Sequence, residues 1–180
     1  MYTCRLHEVA IGLIVVDKNG NEIISLKYDT AASFSDGLAR VSLSEKCGFV
    51  DSSGNEAIPL IYDRAAPFSD GYASVGMRRT NPIGNWRFNN GIIDKNGMII
   101  VPLDYSRIDN FDENLLRVTK RRQMRNSKAT DVLYGVFDRT SGAEVIPCTY
   151  SQLSIVEGLI RAITLDGAEY IFDKFGNRIG

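Results

Sequence analysis

Side-chain chemistry needs particular groups at particular spacings, and few of them meet in this sequence. There is one histidine, His7, so any triad or metal cluster built on imidazole must use it. It sits between Leu6 and Glu8 and reads as a solvated strand residue. The chain has no G-x-S-x-G elbow, no G-x-x-x-x-G-K-[ST] loop, no G-x-G-x-x-G fingerprint, no C-x-x-C pair and no H-E-x-x-H helix. Asp17, Asn19, Asn21 and Glu22 put oxygen donors close together, which is how calcium loops begin. The loop glycine, however, falls at the fourth position, and an EF-hand needs it at the sixth with Glu at the twelfth. Turn capping explains the pattern more simply. Asp109, Asp112 and Glu113 are a candidate acid–base group, but they lie in a polar stretch that suits ordinary solvated carboxylates. We therefore expect no catalytic residue, no metal and no cofactor: a chain that is not an enzyme.

Basic residues carry more information. Residues 76–90 hold Arg78, Arg79, Trp86, Arg87 and Phe88, including the only Trp. Residues 119–134 hold Lys120, Arg121, Arg122, Arg125 and Lys128, with Asp131 the only acid. Cations beside an aromatic suit a phosphate-bearing ligand, an acidic protein surface, or single-stranded nucleic acid stacked on Trp86. The plainer alternative is a pair of exposed hairpin extensions whose charge serves solubility.

What positions these segments is a repeat. A turn aspartate recurs as Asp17, Asp51, Asp94, Asp138 and Asp173, at steps of 34, 43, 44 and 35 residues. A tyrosine recurs as Tyr28, Tyr62, Tyr105 and Tyr150, and a phenylalanine as Phe34, Phe68 and Phe111, with Ile155 or Val156 in the fourth copy. The glycine after it recurs as Gly37, Gly71 and Gly158; Asn114 stands in the third copy, which predicts a positive φ there. The basic period is about 34 residues. The two basic segments are insertions at the same place in consecutive copies. Insertions at one repeat position project from one face, so the two are expected to form one basic patch.

The stretches GFVDSSGNEAIPLIYDRAAPFSDGYASV, NGIIDKNGMIIVPLDYSRIDNF and YGVFDRTSGAEVIPCTY resemble the WG-repeat family, also called KWG repeats. The Trp of the opening Trp-Gly pair is replaced here by Cys47, Asn90 and Tyr134, before Gly48, Gly91 and Gly135. Ile14 and Tyr170 take the Gly position in the first and last copies. The resemblance implies a β-rich repeat module of a kind widespread in bacterial proteins, acting as an interaction scaffold with no shared activity.

Local patterns agree with strands. Asp at the first and Gly at the fourth turn position mark a type I turn in a bulged hairpin. Strand two is expected to end at Pro59, Pro102 and Pro147, where the chain leaves the sheet or runs at an edge. Ile108, Phe111, Leu115 and Val118 have helical spacing over residues 106–126, but the register with the other copies favours strand. The 180 residues, 44% hydrophobic and 24% charged, suit one domain with a real core. A net charge of −1 excludes overall electrostatics as the route to nucleic acid or membrane. Cys4, Cys47 and Cys148 are too few and too scattered for a disulfide framework. No stretch reaches the length of a bilayer span, no signal peptide is evident, and the cytoplasm is the default.

These readings predict an all-β tandem array of about five WG-type meander units in a single domain, 1–180. The approximate units are 1–43, 44–76, 77–118, 119–165 and a partial 166–180. A five-bladed propeller-like ring is the alternative. The expected function is a non-catalytic scaffold for a protein partner. The alternatives are an anionic ligand or nucleic acid at the basic loops, and a carbohydrate-binding or enzymatic site between repeats.

Overall fold

Aspartate builds the tightest local structure in the chain. The computed structural model describes residues 7–9, 12–16, 22–24, 27–80, 86–123 and 130–179, and in it four turns are made alike. The Asp51 carboxylate accepts the N–H groups of Ser53 (2.8 Å) and Asn55 (3.0 Å). Asp94 accepts those of Asn96 and Met98, Asp138 those of Thr140 and Ser141, and Asp173 those of Phe175 and Asn177. Each turn closes on a glycine with φ of +82° (Gly54), +80° (Gly97), +70° (Gly142) or +85° (Gly176). A Cβ would make that conformation costly, so aspartate and glycine are fixed together. The turn expected at Asp17 lies outside the described residues.

The strands between these turns fall in two compact units, Met1–Ile99 and Ile100–Gly180. The first contains β1 (His7–Val9), β2 (Gly12–Val16), β3 (Glu22–Ile24), β4 (Thr30–Ala31), β5 (Leu38–Leu43), β6 (Lys46–Asp51), β7 (Glu56–Tyr62), β8 (Arg64–Ala65), β9 (Tyr72–Thr80) and β10 (Trp86–Asp94). β11 (Ile99–Tyr105) leads into the second, followed by β12 (Arg107–Asn110), β13 (Leu115–Gln123), β14 (Thr130–Asp138), β15 (Glu144–Tyr150), β16 (Gln152–Val156), β17 (Leu159–Ile163) and β18 (Glu169–Phe172). Neighbours in sequence are neighbours in each sheet: β1-β2-β3, β4-β5-β6-β7 and β8-β9-β10 in the first unit, β12-β13-β14-β15 and β16-β17-β18 in the second. Their pairing is antiparallel throughout. The chain is all-β, with no helix among the described residues and so none long and apolar enough to cross a membrane. Residues 107–110 and 115–123 are strands, as the repeat register required and helical spacing did not.

Strand two does not end at its proline. β7 runs through Pro59 to Tyr62, and β15 through Pro147 to Tyr150. Both are edge strands of their sheets, where a missing N–H is tolerated. Each bulges at that point. Cys47 faces Tyr62 and Phe49 faces Ile58, so β7 advances four residues while β6 advances two. Tyr134↔Tyr150 and Val136↔Ile146 repeat the offset in β14 and β15.

The second turns are two-residue hairpins. Asp36-Gly37, Asp70-Gly71 and Glu157-Gly158 all have positive φ, the mirror-image turn that matches strand twist. Asn114 departs from expectation, because its φ is not positive. The turn there is held differently: Asp112 and Leu115 exchange backbone bonds of 3.2 and 3.3 Å, and the Asn114 carbonyl accepts Arg139 N–H.

Packing follows the strand alternation. In the first unit Tyr28, Ala39, Val41 and Val50 form a buried cluster backed by Phe34 and Leu60, and Phe68 meets Phe49 edge-on at 4.7 Å. In the second, Leu115, Val136 and Ile146 pack against Leu153, Ile160, Ala162 and Phe172 of the next sheet. Tyr150, at the end of β15, lies against the rings of Tyr170 and Phe172. Each such side chain removed from water contributes about 1.5–3 kcal/mol. The tyrosine after strand two therefore ties one sheet to the next.

Candidate functional site

The two insertions lengthen one hairpin of the repeat. β5 and β6 have six residues each and close on Ser44-Glu45. β9 and β10, and again β13 and β14, have nine each. The extra rungs carry the predicted cations and leave the sheet below them unchanged. The tips, residues 81–85 and 124–129, lie outside the described residues, and Arg125 and Lys128 lie with them. Trp86 is placed by its backbone, opposite Thr80.

In the first unit Arg79 stands directly opposite Arg87, and Arg78 opposite Phe88. Arg78, Arg79 and Arg87 are exposed. Like charges facing across a ladder destabilise it slightly. The Arg78 N–H bonds to Asp63, whose other oxygen holds the Lys46 ammonium at 2.7 Å. Those two interactions, the N–H first, keep the Asp63 carboxyl below its ordinary range. On the same face Arg64 reaches across Gly76, where a Cβ would come within 2.7 Å of its Nε. Its guanidinium lies 4.1 Å from the centre of the half-buried Phe88 ring and donates to the side chain of the buried Asn90 (Nε to Oδ1, 3.0 Å).

In the second unit the three described cations, Lys120, Arg121 and Arg122, do not all point one way, because strand residues alternate between faces. Lys120 points one way, to Asp104 at 2.6 Å and the Tyr105 ring at 4.8 Å. Arg122, on the same side of the strand, pairs with Asp131 directly opposite, at 2.9 Å. Arg121 points the other way, into a cleft of 410 Å³ that it lines with Arg107, Asp109, Arg117, Val132 and Tyr134. Asp109 holds Arg107 at 2.7 Å and faces Arg117 at 3.8 Å. The Arg117 guanidinium is 5.8 Å from the Phe111 ring and 5.7 Å from the Tyr134 ring.

Sequence reasoning missed Arg64, Arg107 and Arg117. A signal existed for the first two. Arg64 and Arg107 are 43 residues apart, as are Arg78 and Arg121, and as are the turn residues Asp51 and Asp94. Among the described residues no three His, Cys, Asp or Glu side chains gather in a metal-ligating group. Of the candidate acids, the Asp109 carboxylate is held by arginines, and the Asp112 backbone closes a turn. Cys47 and Cys148 are free thiols, and burial pushes the Cys148 thiol up.

A family model described as WG containing repeat matches residues 15–47, 48–78 and 91–121, together more than half of the chain. No curated protein matches. Among solved structures, one described as a crystal structure of the eukaryotic initiation factor is similar at 12% identity and a TM-score of 0.43, over 99% of this chain. The chain spans half the length of that protein's chain. BamB from Moraxella catarrhalis is similar at 11% identity and a TM-score of 0.34, over 93% of this chain and 69% of its own.

Proposed function

The chain belongs to the WG-containing repeat family, and from that premise we propose that it is a non-catalytic, cytoplasmic scaffold that binds a protein partner through its lengthened hairpins. The observation that carries this reading is Arg79 facing Arg87 across the extension of β9 and β10. A hairpin built only to fold gains from opposite charges at facing positions and loses from like ones. Keeping two cations there is explained by an external anionic surface that relieves the repulsion.

The test removes the extensions without disturbing the ladder below them. Replacing residues 78–88 and 121–132 each by Asn-Gly removes the rungs from Arg78↔Phe88 and Arg121↔Val132 upward and closes the hairpins on Met77↔Asn89 and Lys120↔Leu133. We expect the shortened chain to fold and to lose its partner in a quantitative pull-down. Unchanged partner recovery would remove the hairpins as the contact. The basic extensions also support a second reading, an anionic small ligand or nucleic acid at the same residues. Strongly salt-dependent binding of an oligonucleotide by the intact chain would favour it.

A further inference from the structure

We propose that the cleft on the β12-β13-β14 face takes the carboxylate side chains of an acidic peptide segment between Arg107 and Arg121. This rests on the scaffold reading and names the chemistry of its partner. At 410 Å³ the cleft has the size of a ligand pocket and admits one or two side chains. Its charge is unbalanced: three arginines face one carboxylate, Asp109. Arg121 has no ion-pair partner among the described residues, and the buried Arg117 Nε has no acceptor. The planar guanidinium fork matches a carboxylate in two hydrogen bonds.

A second observation makes the arrangement more than a chance cluster. Arg64 faces Gly76 in the first unit as Arg107 faces Thr119 in the second. Arg78 and Arg121 each lie two residues further along the next strand, on the same face. Charge kept only for solubility has no reason to hold one register in two repeats. A nucleic acid fits this cleft less well than a peptide, because it needs an aromatic surface for its bases. Tyr134 is already packed against the core and braces Arg117.

The probe is fluorescein-labelled hexaglutamate, titrated with the full chain at low salt and followed by anisotropy. Saturable binding is expected, weakened about tenfold or more by R107Q/R121Q. K95Q/K174Q, the same charge change on exposed turn lysines, should leave it unaltered. Circular dichroism checks that R107Q/R121Q folds; if it does not, R121Q alone carries the test, since Arg121 makes no ion pair in the described structure. Equal weakening by both double variants would reduce the effect to net charge and overturn the proposal. So would tighter binding of hexathymidylate or inorganic phosphate than of the peptide. Absence of hexaglutamate binding by the native chain overturns the cleft and leaves the scaffold reading, which stands or falls with the hairpin deletions.

Discussion

A Cβ on Gly48 would lie 2.8 Å from the carbonyl carbon of Pro59 and 2.6 Å from the oxygen of Ile58. The bulge that lets β7 pass its proline presses the backbone down onto the facing strand, and only glycine leaves room beneath it. Gly135 stands in the same relation to the bulge at Pro147, within 2.8 Å of the backbone of Ile146 and Cys148. The recurring Gly and the recurring Pro are thus one device on two strands. Opposite each Gly is a buried residue, Val41 or Val118; where Tyr170 replaces the Gly, its opposite number shrinks to Ala162.

Gly48→Ala should therefore destabilise the chain by about 1–3 kcal/mol, the range for forcing extra volume into packed structure. The urea midpoint measures it. A loss no larger than that of Gly71→Ala, where the space is open and only the φ of +83° resists, would show that the bulge yields.

The turn aspartates predict a dependence on acid. Backbone N–H groups hold the carboxyls of Asp51 and Asp138, and the Asn177 side chain first among its partners holds that of Asp173, below the ordinary value of 3.8. A group whose pKa is lowered on folding stabilises the fold above its unfolded pKa and loses that contribution as pH falls through the folded value. Stability should be flat through neutral pH and decline only below about pH 4. Asp138→Asn should cost about 1 kcal/mol at neutral pH, and the gap from the native chain should close at the acid end. A gap of constant size would assign the effect to shape rather than charge.

Arg79→Glu should place an opposite charge across from Arg87 and raise stability by a few tenths of a kcal/mol. The same change should weaken any anionic partner. Thermal melting and a quantitative pull-down of the partner with one variant test both halves. A variant neither more stable nor weaker in binding would remove Arg79 from the functional surface.

The short β5–β6 hairpin turns on Ser44 and Glu45, at φ of +50° and +65°. Neither residue favours that region, where Asn-Gly is the usual choice. Glu45→Gly should raise stability by about 1 kcal/mol, read as a higher urea midpoint. No gain would mean that the hydrogen bond from Ser44 N–H to Asp29 already holds the turn.

Much of this fold is local, and local structure can be read from residue types. Asp-x-x-Gly fixes its own turn with its own backbone, so Asp51, Asp94 and Asp173 do one job in three places, and Asp138 does it with one extra residue before Gly142. The Asn114 substitution misled for the same reason in reverse. Asn tolerates positive φ without requiring it, and a carbonyl bond to Arg139, distant in sequence, settles the turn. The prolines misled because losing one N–H does not end an edge strand. Nothing in the sequence says that the strand will bulge there.

The sequence alone determined that this chain is a series of antiparallel meanders with two lengthened, arginine-bearing hairpins, because turns and two-residue alternation are properties of a few adjacent residues. Only the tertiary structure decided that the sheets beginning with β4, β8, β12 and β16 start just after Tyr28, Tyr62, Tyr105 and Tyr150, out of phase with the copies seen in the sequence. It alone divided the second insertion's cations, sending Lys120 to Asp104 and Arg122 to Asp131 on one face and Arg121 to a cleft with Arg107 and Arg117 on the other. Partners separated along the chain are chosen by strand register, and register is set by turns and packing together rather than by any one segment.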